Sequence, residues 1–166
     1  MLRLVKISLY NYRLYKKMMD DWNNTSFNKE AYFLNNLKAE HYLDHNETLK
    51  LFLKDEKIRS DEINPMTTYF LFDTKTNGFI GGISISFKHN DISLKEGNMW
   101  FSISPIYRHK GYSNSLIDLG VKLYHDKEKE PIIFKVDKNN IYAIKSIEFN
   151  KAKLYKKEED NLFYSL

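Results

Sequence analysis

The sequence predicts an α/β fold in one domain spanning residues 1–166. Three observations carry this reading. Met99, Phe101 and Ile103 alternate with Trp100 and Ser102, the period of a half-buried strand. Tyr112, Leu116, Leu119 and Leu123 follow it at helical spacing. Earlier, Asn77-Gly78 stands between the apolar runs Thr67 to Phe72 and Phe79 to Phe87, a strong hairpin signal. Strands and helices interleaved in this way bury their apolar faces against one another in layers.

Composition narrows the class. A chain of 166 residues suits a single core, and 42% hydrophobic with 15% aromatic residues argues against disorder. The net charge of +4 arises from interspersed Lys, Asp and Glu, with no basic block that would point to nucleic acid. With no cysteine, disulfides, thiolate metal sites and a cysteine nucleophile are excluded. Met1-Leu2-Arg3-Leu4-Val5-Lys6 is too short and too charged for a signal peptide. No uncharged run approaches the roughly 20 residues a membrane helix needs. The expectation is a cytoplasmic protein with no membrane partner and no metal.

In chain order, Leu2 to Leu9 predicts a first strand, and Ser8 or Asn11 a cap for a helix bearing Leu14, Met18, Met19 and Trp22. The pattern breaks over Asp20 to Thr25, and a second helical run begins near Asn28 with Tyr32, Phe33, Leu37 and Tyr42 on one side. His41 and His45 have metal-ligand spacing, but no third ligand or Glu accompanies them, so two solvent-facing histidines are read. Helical character resumes from Asn46 with Leu49, Phe52 and Leu53, and Ser60 to Pro65 reads as a loop. In the hairpin, Gly81-Gly82 predicts a bulge or a close backbone approach. Lys88 to Gly97 reads as a polar excursion and a pocket wall, carrying His89, Asp91 and Glu96. After the central helix come an apolar strand, Pro131 to Val136, a short helix with Ile141, Ile144 and Ile147, and a closing hairpin from Lys153 to Ser165.

The stretch from Ile103 to Ser113 carries the chemistry. Pro105 ends the strand, and a basic loop, Arg108-His109-Lys110, leads through Gly111 into the helix. The first helical N–H groups have no intrahelical acceptor, and the helix dipole favours an anion there. Gly111 permits close approach and a positive φ. Such a site suits a pyrophosphate.

Arg108-His109-Lys110-Gly111-Tyr112-Ser113 resembles the Arg/Gln-x-x-Gly-x-Gly/Ala signature of the GNAT superfamily of acyl-CoA N-acyltransferases, and the likeness extends over roughly Thr67 to Tyr155. Within it the sequence is similar to a group of small predicted acetyltransferases with an Arg-x-x-Gly-Tyr loop and a later Asp-x-x-Asn, here Asp137 to Asn140. The resemblance implies a splayed central mixed sheet flanked by helices, acetyl-CoA as cosubstrate, and direct transfer of the acetyl group to a primary amine of a small molecule or peptide. It implies that backbone groups of Phe101, Ser102 and Ile103 face the pantetheine, in effect as an added strand. Arg108, His109, Lys110, Gly111, Tyr112, Ser113 and Asn114 would hold the pyrophosphate, and Asn140 would contact the coenzyme as well as cap its helix.

The sequence departs from the family in several places. Ser113 replaces a usual Gly or Ala and offers a hydroxyl to a phosphate; Ile147 stands where many members carry a Tyr that protonates the leaving thiolate. Lys135 stands where some have a Glu base, and Asn150-Lys151-Ala152 replaces a Gly after the last helix. The amine proton is expected to leave through water or a pocket carboxylate such as Glu96, and Tyr142 is a weak substitute donor, five positions from Ile147 and so on another helix face. Trp22 or Phe27 is expected near the acceptor opening. A non-catalytic acyl-CoA-binding module on the same fold is the alternative, and monomer and homodimer both remain open.

Overall fold

A computed structural model describes residues 1–24, 45–58 and 60–166. Phe27, the run expected from Asn28 and His41 lie outside the described residues, as does the side chain of His45. Four strands form one antiparallel sheet in the order β1–β2–β3–β4: β1 (Leu2–Val5), β2 (Thr67–Asp73), β3 (Gly78–Ile85) and β4 (Met99–Ile103). A second sheet has the order β5–β7–β6: β5 (Ile133–Asp137), β7 (Asn161–Ser165) and β6 (Lys153–Lys157). The helices are α1 (Tyr12–Asn23), α2 (His45–Lys57), α3 (Asp91–Glu96), α4 (Tyr112–His125) and α5 (Ile141–Phe149).

The first sheet is buried on both faces, which is why β2 reads as the unbroken run Tyr69-Phe70-Leu71-Phe72. Phe70 and Phe72 face α1 and α2, packing with Tyr15, Met18, Met19, Trp22 and Phe52. Tyr69 and Leu71 face α4, joining Ile83, Ile85, Leu116 and Ile117. On β3 the pairing passes from Leu71↔Gly81 to Phe72↔Phe79, so Ile80 is an extra, bulged residue. The bulge lets Phe79 join the first face while Ile80 and Ile83 join the second. Both features expected at Gly81-Gly82 occur, for a Cβ on Gly81 would fall 2.3 Å from the carbonyl oxygen of Ser102 on β4.

Four local expectations need correction. The first strand ends at Val5, because Ser8 N–H donates to Asn11 Oδ1 (2.8 Å) and Asn11 Nδ2 donates to the Lys6 carbonyl (2.9 Å), folding the next residues into a turn. Asn11 therefore precedes α1 without capping it through its side chain. The polar excursion contains a helix, α3, held by a capping box: Asn90 Oδ1 accepts from Ser93 N–H (3.1 Å) and Ser93 Oγ from Asn90 N–H (3.4 Å). Trp22 is core, 2% exposed and packed among Phe52, Phe70 and Phe79, not an element of an opening.

Helix α5 closes with a Schellman turn, Lys151 N–H donating to Glu148 O (2.9 Å) and Ala152 N–H to Ile147 O (3.4 Å). Lys151 holds the left-handed conformation there, φ 70°, at the place where glycine is usual. A left-handed L-residue costs roughly 1–2 kcal/mol, and glycine returns part of that gain as unfolded-state entropy. Lys151→Gly should thus stabilise the protein by about 1 kcal/mol, raising Tm by about 2–4 °C. A melting curve checks it.

Candidate active site

Among the described residues, hydrogen bonds between the two sheets converge on Asn98, and the Phe101 and Phe134 rings also meet across them at 6.4 Å. Asn98, 0% exposed, donates its backbone N–H to Ile133 O (2.9 Å), and its Oδ1 accepts from Ile133 N–H (2.8 Å). Its Nδ2 donates to the Tyr124 hydroxyl (3.2 Å) and its carbonyl accepts from Ser86 N–H (2.9 Å). From this junction β4 and β5 run side by side in the same direction with no ladder between them. Their far ends face each other through His109 and Tyr142, whose rings meet edge-on at 4.7 Å. The result is a V tied at one end. Asn98→Ala would leave Ile133 N–H and the Tyr124 hydroxyl without these partners, at about 1–3 kcal/mol each. A loss of about 3 kcal/mol in urea unfolding is expected.

The V holds a cavity of about 400 Å³, within the usual range for a small-molecule site. Met99, Trp100 and Phe101 of β4 line one side, Phe134, Lys135, Val136 and Asp137 of β5 the other. Glu96, Asn140, Ala143, Ile147 and Asn161 complete it. The bonds Ser86 N–H to Asn98 O and Ser104 N–H to Ile80 O, both 2.9 Å, set the phase of β4. By alternation, Trp100 and Ser102 turn their peptide groups to β3, and Phe101 and Ile103 turn theirs to the open edge. Of the expected trio, Ser102 is therefore engaged within the sheet. The Ile103 carbonyl accepts from Arg108 Nε at 3.1 Å, which leaves the Phe101 peptide and the Ile103 N–H on that edge.

Beyond Ile103 the chain makes a 3-10 turn at Pro105–Tyr107 and then the basic loop. His109 and Gly111 both take positive φ, 59° and 79°. This alternating backbone makes a concave nest of N–H groups. Among the described residues the amides of His109, Lys110, Gly111, Tyr112 and Ser113 have no acceptor. The side chains behave differently from the expectation of a converging positive cluster. Arg108 folds back onto β4, Lys110 Nζ donates to Ile106 O (2.9 Å) above the Tyr107 ring, and His109 packs against Tyr142. The Tyr112 ring leaves the loop towards Asp73 of β2 (3.5 Å), and burial first, then that carboxylate, push its hydroxyl above the ordinary value.

Ser113 is also engaged. Its Oγ lies 2.7 Å from Ser146 Oγ on α5, and Ser146 Oγ donates to Tyr142 O (3.0 Å). Ser146 has one hydroxyl proton, so Ser113 donates to Ser146 and has no proton left for a phosphate. The serine couples α4 to α5.

Asn140 caps α5, its Oδ1 accepting from Ala143 N–H (3.2 Å), and also lines the cavity. Ile147 is buried in the cavity wall. Tyr142 does not line it and is 68% exposed. Glu96 does, and its Oε2 accepts from Lys135 Nζ at 2.8 Å. His89 and Asp91 are not among the lining residues. Sequence reasoning missed Asn98 and Asn161. A polar residue opening an apolar strand was the available signal for Asn98; nothing local marked Asn161. Among the described residues no helix is long and apolar enough to cross a membrane, and no three potential metal ligands gather.

The fold is similar to that of solved GNAT-family acetyltransferases. Campylobacter jejuni N-acetyltransferase PseH in complex with acetyl coenzyme A superposes with a TM-score of 0.63, at 16% identity over 100% of this chain and 98% of that one. The PaiA N-acetyltransferase of Thermoplasma acidophilum in complex with coenzyme A gives 0.62, at 12% identity over 99% and 98%. The GNAT domain of S. lividans PAT gives 0.67, at 9% identity over 99% and 88%. No protein-family model matches the sequence, and no curated protein matches it significantly.

Proposed function

We propose that this protein is an acetyl-CoA-dependent N-acetyltransferase that transfers the acetyl group to a primary amine by direct attack. The observation that carries the reading is the splayed β4–β5 gap ending on a nest of acceptor-less amides, His109 to Ser113, in a fold shared with acetyltransferases. In this reading the Phe101 peptide and the open side of Ile103 receive the pantetheine amides. The amides from His109 to Ser113, together with Asn114, hold the pyrophosphate, and Asn140 adds a side-chain contact. Glu96 or water takes the proton that a charged amine must lose, since a free alkyl amine has a pKa of about 10.4. The nitrogen then forms the new C–N bond as the thioester C–S bond breaks. Positioning supplies most of the acceleration, up to roughly 7–11 kcal/mol in favourable cases.

A non-catalytic acyl-CoA-binding module on the same fold is favoured by one observation, the hydrocarbon side chain of Ile147 in the cavity wall. Thermal melts with acetyl-CoA and a thiol-release assay over an amine panel separate the two. A thermal shift with thiol release on at least one amine supports the enzyme, and a shift without release on any supports the module. No shift at millimolar acetyl-CoA ends both readings.

A further inference from the structure

Strand alternation divides the cavity into two chemically different halves. Met99, Phe101, Phe134, Val136, Ala143 and Ile147 belong to the apolar core. Lys135 and Asp137 alternate with Phe134 and Val136 on β5 and so face the other way, and Trp100 alternates likewise on β4. Asn161 of β7 pairs across from Asp137 on that same face. Glu96, at the end of α3, reaches into this half and holds the Lys135 ammonium. One half of the cavity is hydrocarbon; the other offers Glu96, Asp137, Asn161, an indole and a lysine.

The lysine is the informative residue. In a pocket meant only for an amine it competes with the substrate's own ammonium for Glu96, and the Lys135 side chain is 25% exposed. Nor does it stand alone. Lys156 binds Glu158 at 2.5 Å. The Lys156 hydrogen bond holds the Glu158 carboxyl below its usual range, and the fields of Lys156, Lys135 and Lys95 add to it. Lys95, Lys135 and Lys156 thus all act on Glu158, and of the three Lys135 lines the cavity. A carboxylate and an ammonium 2.8 Å apart in one cavity wall are the mirror image of a substrate carrying both charges.

We propose that the acceptor is a zwitterionic amine, one with a carboxylate within a few bonds of the nitrogen, as in a free amino acid. This rests on the acetyltransferase reading. The substrate carboxylate takes the Lys135 ammonium, and the released Glu96 accepts from the substrate ammonium and removes one proton. The nitrogen lone pair forms the amide C–N bond as the C–S bond breaks. The second amine proton passes to the departing sulfur, so ammonium plus thioester gives amide, thiol and one proton in solution.

The test uses matched pairs, lysine with cadaverine, tyrosine with tyramine and β-alanine with ethylamine, on the full chain saturated with acetyl-CoA or CoA. The expected result is that, in at least one pair, the carboxylated member has at least tenfold higher kcat/KM and gives the larger thermal shift on the CoA complex. Lys135→Met should abolish the preference and Lys135→Arg should retain it. Equal or better use of the decarboxylated members, a preference unchanged in Lys135→Met, or no shift from any member on the CoA complex overturns the proposal. A protein that shows no shift with acetyl-CoA itself fails at the earlier reading instead.

Discussion

Gly111→Val should remove most of the thermal shift that acetyl-CoA produces. At a ligand concentration of roughly 100 Kd, binding adds about 2.7 kcal/mol to stability, which for a chain of this size is about 5–10 °C in Tm. Gly111 sits at φ 79° immediately before α4, and a Cβ built there meets nothing within 4 Å. The substitution therefore creates no clash in the free protein. Its penalty is conformational: a β-branched residue is strongly disfavoured in the left-handed region. The valine loop relaxes to negative φ and turns the amides of Lys110 to Ser113 away from their common focus. A hydrogen bond to a charged group contributes about 1.5–3 kcal/mol, so losing two weakens binding by about 10²–10⁴-fold and leaves a shift of about 1 °C or less. Gly111→Ala, which lacks the branch, should fall between. An unchanged shift in Gly111→Val would mean that the anion is held elsewhere.

The second large effect concerns turnover. Glu96→Gln should lower kcat on an accepted amine by about 10²–10⁴-fold, the range of a general base, while Tyr142→Phe should stay within a few-fold. Glu96 lines the cavity, and glutamine preserves its shape and an oxygen for Lys135 while removing the basic carboxylate. Tyr142 packs its ring on His109 at the loop end and is not part of the cavity wall. Steady-state rates of both variants on one amine decide the matter. A large loss in Tyr142→Phe with little in Glu96→Gln would reverse the assignment, making the tyrosine the proton donor. Small losses in both would leave solvent as the proton carrier.

The sequence by itself determined what depends on neighbours along the chain. The Asn77-Gly78 turn, the alternation in Met99 to Ile103, the end of that strand at Pro105, the helix after Gly111 and the positive φ of Gly111 all follow from sterics and periodicity within a few residues. The short α3 was legible in principle, through the Asn90-x-x-Ser93 box, but six residues carry too little periodicity to reveal it. Trp22 shows the limit of position along the chain, since a break in a helical pattern says nothing about which face of a sheet the helix covers.

Only the tertiary structure decided how distant parts combine. It brought Asn98 to Ile133 and so tied the two sheets at one end, and it set Glu96 against Lys135 across 39 positions. It also turned charged and polar side chains to structural use: Arg108 onto the Ile103 carbonyl, Ser113 onto Ser146. The reason is physical. A loop's backbone conformation is set by local sterics, so its N–H groups can be foreseen, whereas a long side chain goes to the nearest unsatisfied partner, and packing alone determines which one that is.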